Sequence, residues 1–140
     1  MTVIAPILVG LAYVFLMSLI REPHRRPFNA IMLAGAGAAY LSSGGGFGPW
    51  EFALTAAVTY CAYRGLRSWT FIGIGWLLHT GWDILHHLNG SPLIPFAADS
   101  SFGCAICDPV IALWCLTGGV SVTDHLRARL ARARPDRAAS

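Results

Sequence analysis

Apolar residues run along this chain in five long stretches separated by short polar or glycine-rich breaks. Residues 2–20 carry no charge over 19 positions, close to the roughly 20 residues a helix needs to cross a bilayer. REPHRRP, residues 21–27, ends that run with charge and two prolines. Residues 28–43 form a second apolar run, in which Ala34, Gly35, Gly37, Ala38 and Ala39 let helix backbones approach closely. SSGGGFGP, residues 42–49, reads as a turn or short re-entrant segment. A third run covers residues 50–63, with Glu51 at its start and Arg64 at its end. The fourth, residues 69–88, is stopped by Asn89, Gly90 and Pro92, a left-handed-capable residue followed by a proline. A loop over residues 91–107 then leads to Asp108 and Pro109, which read as the N-cap and first position of a fifth helix over 109–122. The pattern predicts an all-α, polytopic integral membrane bundle of about five transmembrane helices. One transmembrane domain, residues 1–126, is followed by a basic tail, 127–140.

Composition fits this outline. Hydrophobic residues make up 55% and charged residues 12%, about half the usual charged share of a soluble protein. The net charge of +3 hides a pattern, because all ten basic residues are arginines. They cluster at Arg21, Arg25 and Arg26, at Arg64 and Arg67, and between Arg127 and Arg137. With five spans these segments share one side of the membrane, and the N-terminus, the glycine-rich connection and the 91–107 loop share the other. Arginine excess marks the cytoplasmic side, so the expected topology is N-out and C-in, in the plasma membrane, with the tail resting on anionic headgroups. Nucleic-acid binding would need this charge on one folded face with polar and aromatic partners, and none is expected. No basic region precedes the first apolar run, so it does not read as a secretory signal.

Candidate chemistry concentrates in residues 79–108, HTGWDILHHLNGSPLIPFAADSSFGCAICD. At 100° per residue, His79, Asp83, His86 and His87 fall within an arc of roughly 100° on one helix face. Ionisable groups inside a span cost about 2.5–3.5 kcal/mol on insertion scales, so they face the interior and find partners. Neutral imidazoles ligate zinc, copper or iron, and carboxylates either ligate or orient an imidazole. One helix cannot close a tetrahedral site. The expected ligands are therefore Asp83, His86 and His87, completed from neighbouring elements by Asp108, Glu51 or the loop cysteines, with Glu51 and His79 as acid, base or outer partners. An Asp–His network that only ties helices together is the structural alternative. Cys104 and Cys107 have C-x-x-C spacing and would form a disulfide, a redox pair, two thiolate ligands or a packed pair of thiols. No phosphate-binding glycine loop, nucleophile elbow or H-E-x-x-H sequence is present.

GWDILHH (residues 81–87), SPLIPF (91–96) and SSFGCAICDP (100–109) together resemble a family of small bacterial multi-pass membrane proteins of unknown function. That resemblance covers almost the whole chain and implies the membrane class, without an activity. A looser likeness joins Asp83-x-x-His86-His87 to the histidine boxes of membrane di-iron hydroxylases and desaturases. Those enzymes carry several histidine-rich boxes, whereas this chain has five histidines and one box, which argues against a di-iron centre of that type and leaves room for a mononuclear site.

The leading expectation is a metal-dependent enzyme that uses one transition metal ion (zinc, iron or copper) on a lipid or apolar small molecule near the outer membrane face. The first alternative is a small transporter or proton or ion pathway through His79 and Asp83. The second is a structural or accessory subunit held by the polar network and a Cys104–Cys107 bridge.

Overall fold

Helices end where the apolar pattern is broken by proline, glycine or arginine clusters. The computed structural model describes residues 3–42, 46–94 and 97–132, and these fold as six α-helices. They are α1 Ile4–Leu19, α2 Arg25–Ser42, α3 Trp50–Gly65, α4 Trp69–Leu88, α5 Ser100–Leu116 and α6 Val122–Arg132. No strand occurs among the described residues beyond an isolated bridge between Ile94 and Ala97. Residues 1–2, Ser43, Gly44 and Gly45 of SSGGGFGP, Pro95 and Phe96 of SPLIPF, and tail residues 133–140 lie outside the described residues.

The interior follows a three–four spacing on each central helix. α2 buries Ala30, Leu33, Gly37 and Tyr40; α3 buries Glu51, Leu54, Val58, Cys61 and Gly65. α4 buries Ile72, Trp76, His79, Asp83 and His86. This is the repeat that lets side chains of neighbouring helices interdigitate. α4 is central, packed against α5, α3 and α2, while α1 lies on α5. At one end of the seam the repeat is apolar, and at the other it is Tyr40, Glu51, Asp83 and His86.

Two hydrogen bonds gather the arginine-bearing segments at one end. Arg26 Nε donates to the Leu66 carbonyl at 3.2 Å, joining the α1–α2 and α3–α4 connections. Ser121 Oγ donates to the Ser18 carbonyl at 3.0 Å, bringing the α5–α6 junction to the end of α1. Ser121 Oγ also accepts from the Asp124 N–H at 3.1 Å, capping α6.

Two expectations change. The fifth helix begins at Ser100, not at Asp108–Pro109, so Pro109 lies inside α5. Asp108 does not cap a helix because its carboxylate meets His79 instead, at 2.8 Å. The 91–107 loop is correspondingly shorter, and its Leu93 and Ile94 N–H groups donate to the hydroxyls of Ser101 and Ser100 at 2.9 and 2.8 Å. In addition, no described helix is long and apolar enough to cross a membrane. Uncharged α1 has 16 residues, about 24 Å at 1.5 Å per residue, against a hydrocarbon core of about 30 Å. The longer α2 and α4 carry Arg25 and Arg26, or the His/Asp face.

Gly75 marks the closest approach within the core. A Cβ there would sit 2.4 Å from Leu33 Cδ2 and 3.1 Å from Cys61 Cβ. Gly75→Val is expected to destabilise the fold by about 1–3 kcal/mol through overpacking. Gly35 faces open space, with nothing within 4 Å of its Cβ position, so Gly35→Ala is expected to be neutral or to stabilise by up to about 1 kcal/mol. Thermal unfolding of the two purified variants checks this, and equal midpoints would contradict the packing described.

Candidate functional site

Near mid-length of α4, one turn of helix brings His79 and Asp83 onto the same buried face, and α5 supplies Asp108 opposite them. His79 Nδ1 lies 2.8 Å from Asp108 Oδ2 and 3.1 Å from Asp83 Oδ2. Its other nitrogen, Nε2, lies 3.0 Å from the Ala36 carbonyl of α2. All three residues are at most 4% exposed. The small residues of α2 make this approach available: Gly37 lies against Val58, where a Cβ would come within 2.6 Å of Val58 Cγ1.

The partners of His79 fix its chemistry. A carbonyl oxygen only accepts, so Nε2 carries a hydrogen and donates it to Ala36. In a neutral imidazole that leaves Nδ1 as a lone pair facing two carboxylate oxygens. Three electron-rich atoms then converge within 4.8 Å of one another. Such a cluster in a low-dielectric interior needs a cation at its centre, either a proton or a metal ion. The backbone carbonyl behind the imidazole is the outer partner that metal-bound histidines commonly have.

Asp83 is anchored from its other side. Tyr40 Oη donates to Asp83 Oδ1, and Ser101 Oγ lies 3.2 Å from Tyr40 Oη. Since the tyrosine proton is on Asp83, the serine hydroxyl donates to the tyrosine and accepts from the Leu93 N–H. The order Leu93 N–H, Ser101, Tyr40, Asp83 is therefore a directed series of hydrogen bonds that ends on the carboxylate beside His79.

A second pair lies nearer the helix ends. Glu51 Oε1 accepts from His86 Nε2 at 2.9 Å and from the Phe47 N–H at 3.2 Å, and Oε2 accepts from Trp82 Nε1 at 2.8 Å. His86 Nδ1 donates to the Ser91 carbonyl at 3.0 Å. Glu51 occupies the first turn of α3, where the helix dipole favours a carboxylate. The Tyr40 ring stacks on His86 at 4.1 Å, and its hydroxyl meets Asp83. One side chain thus bridges the two centres.

The expected ligand set is redistributed. Asp83 and Asp108 meet, but the imidazole between them is His79. His86 faces α3 and pairs with Glu51. His87 is exposed, with its ring against Phe102 at 4.9 Å. The helical-wheel arc holds, yet different neighbours flank it: α5 and α2 meet His79 and Asp83, α3 meets His86, and His87 lies at the outer edge. Cys104 and Cys107 sit on α5 as free, half-buried thiols, and Cys61 and Cys115 are free and buried. Tyr40, Ser101 and the Ala36 carbonyl were not among the expected site groups. The available signal was a tyrosine closing the small-residue run AGAGAAY and a serine pair preceding the cysteines.

A family described as a family of unknown function, DUF6010, matches residues 1–121. The chain belongs to this family. The match spans all of the candidate residues described above, from Ala36 to Asp108. No curated protein and no solved structure matches the chain.

Proposed function

We propose that this DUF6010 chain is an integral membrane protein whose buried His79–Asp83–Asp108 group holds one divalent transition metal ion. The observation that carries the metal reading is the hydrogen bond from His79 Nε2 to the Ala36 carbonyl, because it turns the Nδ1 lone pair toward both carboxylates. Membrane placement is supported by inverted polarity. Leu8, Val9 and Leu16 are 59, 60 and 55% exposed, and Phe52 and Leu88 are 69 and 77% exposed, while Asn29, Glu51, His79, Asp83 and His86 are buried. Soluble proteins place these residue types the other way round. Hydropathy summed along one helix counts the inward polar residues of α4, which lipid would not meet. Short helices are accommodated by local thinning of the bilayer. Arginines at one end favour an N-out, C-in orientation, with Glu51 and His86 toward the outer face.

Three protein ligands leave a coordination position open, the arrangement of catalytic rather than structural sites. One imidazole and two carboxylates suit iron or zinc better than copper. The function proposed is metal-dependent chemistry on a lipid or other apolar substrate at the outer leaflet. A metal ion there would polarise a substrate oxygen or activate water. Tyr40 and Ser101 hold protons beside Asp83 and orient it, and Glu51 and His86 form a second acid–base pair one helix turn closer to the outer face.

The test is elemental analysis of untagged protein purified from carbonate-washed membranes. Near-stoichiometric metal is expected, retained in His87→Ala and in Cys104→Ser/Cys107→Ser, because neither His87 nor the two thiols belong to the His79–Asp83–Asp108 group. Loss of metal in either variant would contradict this ligand set, and release by carbonate would contradict membrane integration.

A second reading has its own observation behind it. Beyond His79 a polar pair persists among the apolar side chains: Tyr13 Oη donates to Asn29 Oδ1 at 2.9 Å, and Asn29 Nδ2 donates to the Arg25 carbonyl at 2.8 Å. A proton pathway would use this series with Ser101, Tyr40 and Asp83. It predicts that vesicles carrying the metal-free protein dissipate a pH gradient, and that Asn29→Leu stops this. A tight vesicle with the unaltered protein would dismiss it.

A further inference from the structure

At the arginine-bearing end, the turn after α5 reverses the chain through Gly118 and Gly119, both at positive φ (94° and 56°). Gly119 passes directly over Trp69, whose ring would lie 2.5 Å from an added Cβ. The reversal sets the first turns of α6 apart from the end of α5 and leaves a groove of about 360 Å3, within the ~300–1,000 Å3 of small-molecule sites. Its lining is mostly apolar, with Trp114, Val120, Val122 and Leu126, and its polar members are Ser121, His125 and Arg129. The indole N–H of Trp114 is already taken by the Val120 carbonyl at 3.0 Å, so the ring offers the groove an apolar surface.

Charge on α6 is arranged around this groove. At 100° per residue, Val122, His125, Leu126 and Arg129 fall within roughly 100° of arc, and Arg127 and Asp124 fall about 140° and 160° away from Val122. The one acid of α6 therefore lies outside this arc. Among the described residues, no hydrogen bond or ion pair engages the side chains of His125 or Arg129. An apolar trough closed by two unpaired donors complements an amphiphile with an anionic head. Nucleic acid or free phosphate would leave the apolar lining bare.

We propose that this groove seats one anionic phospholipid of the cytoplasmic leaflet, with its phosphate between Arg129 and His125 and an acyl chain over Val120, Val122 and Leu126. The seat rests on the membrane reading above and adds a discrete lipid site to it. Guanidinium–phosphate pairing is bidentate and charge-assisted, and each basic group near a membrane surface adds measurably to anionic lipid binding.

The experiment is native mass spectrometry of the detergent-purified full chain with phosphatidylglycerol or phosphatidylcholine of identical acyl chains. One phosphatidylglycerol is expected to be retained roughly tenfold or more tightly than phosphatidylcholine. That preference should vanish in His125→Ala/Arg129→Ala, and Val122→Trp, which fills the trough, should release the lipid. Arg127→Ala removes the same charge from the far face and should change nothing. Equal retention of both lipids, equal loss in Arg127→Ala, or displacement by inorganic phosphate at concentrations matching the lipid would each overturn the proposal. Carbonate extraction of the same membranes reads the membrane assignment separately, so failure there is distinguishable from failure of the groove.

Discussion

Replacing His79 by alanine is expected to abolish metal binding in the purified protein. The substitution removes the only nitrogen of the group and the imidazole that touches both Asp83 and Asp108. Loss of outer partners alone weakens metal sites by roughly 10–100-fold, so loss of the ligand should exceed that range. Stability falls too, because two buried carboxylates are left facing each other, and breaking a buried charged network costs about 3–5 kcal/mol. Asp108→Asn separates binding from folding: it keeps the shape and offers an amide N–H to the His79 Nδ1 lone pair while removing one anionic ligand. Folded Asp108→Asn protein with strongly weakened metal affinity, measured by calorimetric titration, is the expected result. Full affinity in this variant would remove Asp108 from the ligand set.

The second large effect belongs to Glu51. Its two oxygens accept from His86, Trp82 and the Phe47 N–H, and its side chain is 2% exposed. Glu51→Ala leaves three donors unpaired, with an expected loss of about 3–5 kcal/mol. Glu51→Gln keeps an acceptor oxygen and should lose less. Because His86 stacks on Tyr40, which in turn holds Asp83, the damage in Glu51→Ala should also loosen the metal site, by less than removal of a ligand does. Denaturant unfolding in detergent reads the first effect and metal titration the second. A change in stability below about 1 kcal/mol would place Glu51 in solvent rather than in the bundle.

The course of α4 was legible because both of its ends carry strong local signals: Trp69 follows the polar Arg67–Ser68 pair, and Asn89–Gly90 closes it. The start of α5 was not. Asp108–Pro109 reads locally as a helix start, and that preference is overridden when the Asp108 carboxylate finds His79 across the interface. The candidate site shows the same limit. A helical wheel places His79, Asp83, His86 and His87 on one arc, but which neighbouring helix fills each part of that arc is a tertiary property. Adjacent His86 and His87 diverge by about 100°, enough to bury one against Glu51 and expose the other. Tyr40 reaches Asp83 from 43 positions away, and the Ala36 carbonyl carries no side-chain signal. Uniformly apolar surroundings also hid the three–four seam, whose polar members stand out only once the exposed apolar surface is separated from the interior.

X-ray absorption at the edge of the metal carried by the untagged, membrane-purified protein tests the central claim most directly. The account predicts one bound ion with an oxygen and nitrogen shell that includes a single imidazole and no sulfur near about 2.3 Å, and loss of the imidazole signature in any residual metal of His79→Ala. A sulfur shell would move the site to Cys104 and Cys107, and two imidazoles would move it toward His86 or His87. A protein that carries no metal and takes up none on reconstitution would contradict the account, leaving a proton as the cation between His79 and its two aspartates.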